Sequence, residues 1–125
     1  MDGNQSTEDG ERKMTVESRI RTALASFEHK VYPDTYNGSD KTYFIMNYNT
    51  IPDDFGCNQP QHERALIQVH LFCPHGFNSV QLRKDIKLAL LGAGFTYPSM
   101  TNASDEDGQH WVFEFQVAEA TDGEN

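Results

Sequence analysis

The residues able to do chemistry concentrate in one short stretch, "HLFCPHGFN" at positions 70–78, which holds His70, Cys73 and His75. Two chemistries use such residues. A zinc site needs three or four converging ligands, and a thiolate nucleophile needs a fixed base and donors for an oxyanion. The spacing supports neither. The run "HERALIQVHLFC" (62–73) alternates as a strand, so His70 and Cys73 project from opposite faces. Pro74 then breaks the ladder and His75-Gly76 form a turn. No CxxC or HxxxH pattern supplies further ligands. The stretch reads as the corner where a strand becomes a helix, with Asn78 or Ser79 as its cap.

A second candidate pair is Asp53 and Asp54, within "TIPDDFGCNQPQ" (50–61). Adjacent carboxylates can bind a cation or share acid and base roles. In a segment with two prolines and a glycine they read as solvated residues of a long loop. His29, His62 and His110 fall at element boundaries, where polar residues are ordinary. The chain has no GxGxxG, P-loop, GxSxG or HExxH pattern. These residues point to no enzyme, no metal and no cofactor.

The elements that must position these residues follow from periodicity. Residues 15–28, "TVESRIRTALASFE", form a helix capped by Thr15, with Val16, Ile20, Ala23, Leu24 and Phe27 on one face. Val31 and Tyr32 suit a short strand that Pro33 ends, and Asn37-Gly38 signals a turn. "KTYFIMNYN" (41–49) is rich in aromatic and β-branched residues and reads as a strand. In the strand 62–73, Ala65, Ile67, Val69, Leu71 and Cys73 share one face, and Leu66, Gln68, His70 and Phe72 share the other.

A second helix, "VQLRKDIKLALL" (80–91), places Leu82, Ile86, Ala89 and Leu90 toward the core and ends at Gly92 and Gly94. "FTYPSM" is a short strand or extended turn, and "TNASDEDGQ" a polar turn. "HWVFEFQVA" closes the fold as a strand with Trp111, Phe113, Phe115 and Val117 facing inward. The order implies an α+β fold: an antiparallel sheet of about four strands with two helices packed on one face. The opposite face mixes Gln68, His70, Glu114 and Gln116 with Leu66, Phe72 and Val112, which suits partial cover by a partner.

Composition bounds the rest. A chain of 125 residues fits one domain, expected over 14–118, and Met14 is an alternative start. Residues 1–13 and 119–125 are acidic, poor in apolar residues and expected to be disordered tails. Of the formal charge of −9, residues 1–13 carry −2 and residues 118–125 carry −3, leaving −4 for 14–117. No Lys/Arg stripe offsets it, so free nucleic acid is an unsuitable partner. No stretch approaches the roughly 18 apolar residues of a membrane span, and no apolar leader core is present. A cytoplasmic site of synthesis, with Cys57 and Cys73 reduced, is the expectation.

On the second helix, Val80, Leu91 and, less squarely, Leu88 lie off the core stripe among Lys84 and Lys87. Val80 stapling the N-terminus and Leu91 packing into the C-cap would account for them. The other reading is a subunit interface formed by Val80, Lys84, Lys87 and Leu91.

The succession "VYPDTY", "YFIMNYN", "ALIQVHLFCP", helix, "GAGFTYPSM" and "HWVFEFQVAE" resembles the tail terminator, or tail completion, proteins of long-tailed bacteriophages and prophages, over roughly residues 15–119. The resemblance implies a structural virion protein that forms a hexameric ring at the head-proximal end of the tail tube. The ring would stop tube polymerisation and complete the tail for head–tail joining. Its partners would be further copies of itself, the tail tube protein and the head–tail connector, and it would be assembled in the host cytoplasm. The resemblance also implies that the loop 51–61, with Asp53, Asp54 and Phe55, faces the tube or a neighbouring subunit. A connector or stopper protein of the neck is the related alternative. From other classes come a small cytoplasmic enzyme using His70 or Cys73 with Asp53 and Asp54, and an adaptor domain.

Overall fold

A computed structural model describes residues 15–54 and 62–120. The elements run α1 (Val16–Leu24), a 3₁₀ turn (Ala25–Phe27), β1 (Val31–Pro33), β2 (Tyr43–Asp54), β3 (His62–Cys73), α2 (Val80–Gly92), β4 (Ser99–Asn102) and β5 (Gln109–Ala120). The five strands form one sheet in the order β1-β2-β3-β5-β4. The α+β class is as expected, but the sheet is mixed and has five strands rather than about four antiparallel ones.

The parallel pair is β1 with β2, in the register Val31 with Phe44 and Pro33 with Met46. A long crossover is normally needed to return a chain to the same end. Because β1 is so short, residues 34–42 suffice. The chain leaves β1 through Asp34, whose φ of 64° is left-handed, and its N–H donates to the Met46 carbonyl at 2.9 Å. Pro33 is tolerated because β1 is an edge strand.

The expected loop 50–61 is strand as far as Asp54. β2 continues through Pro52 to Asp54, with a register shift between those two residues. The Phe44 N–H donates to Lys30, and Met46 accepts from Asp34, so even-numbered residues of β2 turn their backbone polar groups toward β1. β1 ends its pairing at Met46. The absent N–H of Pro52 therefore falls beyond the end of the pairing with β1, where no described strand lies alongside. Residues 55–61 lie outside the described residues, as do the tails 1–13 and 121–125. β5 runs to Ala120, two residues beyond the expected end of the domain.

α1 is capped as its sequence indicates. The Thr15 Oγ1 accepts from the Ser18 N–H at 3.1 Å, and Arg21 pairs with Glu17 one turn away. The regular helix stops at Leu24, earlier than expected, and the 3₁₀ turn ends at Glu28 with φ 63°. α2 ends through Gly94, whose φ of 97° allows the Phe95 N–H to reach the Leu90 carbonyl.

Period-two alternation sorts the strands as read. Ala65, Ile67, Val69, Leu71 and Cys73 of β3, Phe44 and Met46 of β2, and Phe113 and Phe115 of β5 are buried. They pack with Val16, Ile20 and Leu24 of α1 and with Ile86 and Leu90 of α2. Both helices therefore cover one face, and each fully buried large side chain contributes about 1.5–3 kcal/mol relative to exposure. β3 and β4 both run antiparallel to β5, hence parallel to each other, with α2 between them in sequence. That crossover places α2 over the sheet and leaves the other face without a described helix.

Candidate functional site

The strand-to-helix corner turns on Gln109, a residue that neither periodicity nor motif singles out. Its Nε2 donates to the Pro74 carbonyl at 2.8 Å and to the Phe77 carbonyl at 2.7 Å. Its Oε1 accepts from the Ser79 hydroxyl at 2.8 Å and from the Trp111 indole N–H at 2.9 Å. Two donors and two acceptor positions exhaust the amide. Ser79, 2% exposed, is thereby committed to Gln109 and to Arg83, whose Nε lies 2.9 Å from its oxygen. Capping passes to Asn78, whose side chain accepts from the Val80 N–H. The Arg83 guanidinium also stacks 3.8 Å from the centroid of Trp111.

This corner holds the candidate nucleophile apart from its base. Cys73 is buried, and burial raises its thiol pKa against the opposing influence of Arg83 and Ser79. A nucleophile needs the reverse. His75 points elsewhere, with Nε2 3.1 Å from the Glu106 carbonyl. Cys57 lies outside the described residues.

His70 is brought instead to His110, which sequence position alone had assigned to an ordinary boundary. Nδ1 of His70 and Nε2 of His110 are 2.8 Å apart. The network sets the tautomers. The Gln68 Nε2 donates to the Glu114 carboxylate at 2.8 Å, so its Oε1 faces Nε2 of His70 at 3.2 Å. That ring nitrogen must carry the proton, which leaves Nδ1 of His70 as acceptor and makes Nε2 of His110 the donor. Both imidazoles have pKa values below the usual 6.5. For His70 burial dominates, with the neighbouring His110 adding to it and Glu114 opposing; for His110 burial dominates, with Asp105 opposing. Among the described residues, no three His, Cys, Asp or Glu side chains converge as metal ligands.

The pair lies within an aromatic run across the uncovered face. Tyr32 stacks on Tyr36 at 4.0 Å between centroids, Tyr43 on Phe72 at 5.0 Å, and Phe72 on His110 at 4.2 Å. Tyr36 bridges to Tyr43 at 4.7 Å. The Tyr32 hydroxyl donates to Asp40 at 2.6 Å, and this bond, more than burial, raises its pKa well above 10.0. Tyr43, Phe72 and His110 line a cleft of about 480 Å³ together with Asp40, Asp105 and Asp107, and it reaches Cys73, Pro74 and Gln109 at the corner.

The helix residues read as an interface are displayed on the other side. Val80 is 51% exposed, Leu88 59% and Leu91 46%, so Val80 and Leu91 are not consumed by a staple or a C-cap. Lys84 is exposed, and the Lys87 ammonium lies 5.7 Å from the Tyr97 centroid. Asp53 and Asp54 fall at the end of β2 rather than in a loop, and Phe55 lies outside the described residues.

Compared with protein-family models and with curated proteins, the chain matches none. Among the described residues, no helix is long and apolar enough to cross a membrane.

Proposed function

We propose that the protein is a structural virion-assembly component that caps a phage tail tube as a ring and completes the tail for head joining. The reading rests on the succession of segments that resembles the tail terminator proteins. One observation supports it beyond that resemblance: the chain carries two dissimilar accessible surfaces on opposite sides of one sheet. One is the aromatic, acid-lined cleft, and the other is the apolar and basic stripe of α2. A subunit that repeats head to tail needs two unlike patches.

The partners under this reading are further copies of the chain, the tail tube protein and the head–tail connector, within the tail or neck of the virion. The segment with Asp53, Asp54 and Phe55 is proposed to meet the tube or a neighbour. The ring forms on the tube template, and at micromolar concentration the isolated protein stays monomeric.

The test is negative-stain microscopy of lysates from a phage or prophage deleted for this gene. Overlong tubes, or full heads beside unjoined tails, are the expected result. Normal joined virions would overturn the reading.

A further inference from the structure

We propose that the α2 stripe of one copy docks into the acidic aromatic cleft of a second copy, head to tail. The proposal rests on the ring reading above and deepens it by naming the two surfaces. The stripe presents Val80, Leu88 and Leu91, all exposed, together with Lys84 and Lys87. Of the charged groups of α2, Arg83 is engaged with Ser79 and Trp111, Asp85 with Gln81, and the half-buried Lys87 lies over the Tyr97 ring with its charge unneutralised. What the helix offers a partner is therefore apolar and cationic.

The cleft offers the complement. Its lining of Tyr43, Phe72 and His110 is a stacked apolar surface that accepts alkyl chains and ammonium groups on ring faces. Asp40, Asp105 and Asp107 supply negative charge along it, against one lining cation, Lys41. Its volume of about 480 Å³ has room for several side chains.

A second copy is chosen as occupant because charge selects among the possible pairings. Helix against helix would set Lys84 and Lys87 of two copies together, and cleft against cleft would do the same with the carboxylates. Only the unlike pairing joins opposite charges. The Tyr43, Phe72 and His110 rings of the cleft lie on the sheet face opposite the two helices, while the stripe points away from the sheet. Each docking step therefore leaves one stripe and one cleft open, and growth ends only when rotation closes a ring.

Sedimentation velocity on the full chain, taken to several hundred micromolar, tests the contact. The wild type is expected to associate weakly, with a dissociation constant on the order of 100 μM. K84E/K87E and D105N/D107K should each weaken association by about tenfold, with unchanged circular dichroism and thermal unfolding. The chain carrying all four substitutions should regain most of the lost association. Asn at position 105 keeps the side-chain oxygen that accepts from the Asp107 N–H. A wild type that stays monomeric throughout, charge variants that associate like it, or a combined variant that stays as weak as either would each overturn the contact. Failure here with overlong tubes in the deletion lysate would leave the terminator reading standing. Charge-swap rescue with normal deletion virions would leave the contact and remove that reading.

Discussion

Nε2 of His110 donates to Nδ1 of His70 across 2.8 Å, and Nε2–H of His70 donates in turn to the Oε1 of Gln68, itself anchored on Glu114. Protonating Nδ1 of His70 would set two N–H groups against each other. Both histidines have folded-state pKa values lowered from 6.5. The unfolded chain thus takes up protons first as the pH falls. Stability from the neutral pair is fully present above the unfolded value and is lost as the pH drops below it toward the folded ones. Urea unfolding at about pH 7.5 and about pH 5 should show a lower midpoint in acid. His70→Leu should flatten that difference; an unchanged slope would show that other groups carry it.

Gln109 offers a sharper loss. Gln109→Leu removes four hydrogen bonds and strands the buried Ser79 hydroxyl and the Trp111 N–H. The expected cost is about 2–4 kcal/mol in urea unfolding. Gln109→Glu keeps the shape but sets a carboxylate against the carbonyls of Pro74 and Phe77, so it should be no better tolerated. A glutamate variant as stable as wild type would refute the assignment of donor and acceptor.

Gly38 is held against Tyr36. A Cβ there would overlap the Tyr36 ring and hydroxyl; that hydroxyl accepts from the Asp40 N–H, and the ring stacks on Tyr32. Gly38→Ala should expel the ring from the stack and lower stability by about 1–2 kcal/mol. The near-ultraviolet circular dichroism of the tyrosines should weaken with it, and a spectrum identical to wild type would count against the packing.

Leu91, half exposed at the end of α2, should tolerate change within the monomer. Leu91→Asp should alter unfolding free energy by no more than about 0.5 kcal/mol. Phage carrying it should nonetheless show the tail defect of the deletion. Full complementation by this variant would remove Leu91 from the interface.

The faces of β3 and β5 were legible because alternation is a local property: once Ile67 and Val69 are buried, the residue between them must face out. Thr15 was legible as a cap for the same reason, since its partner Ser18 lies within one turn. Pro52 misled because a proline breaks a ladder only where its N–H is needed, and on that side β2 is paired with β1 only as far as Met46. Residues 34–42 misled because a three-residue β1 permits a crossover shorter than parallel strands usually need.

By itself, the sequence determined the α+β class, the apolar stripes of both helices and the inward faces of the central strands, since each depends on spacing within one segment. Only the tertiary structure decided that His70 meets His110 rather than Cys73 or His75, and that Gln109 closes the corner at Pro74–Ser79. Those contacts join residues thirty or more positions apart. They exist only because β3 and β5 pair in one register, and no local periodicity encodes which residue will stand opposite which.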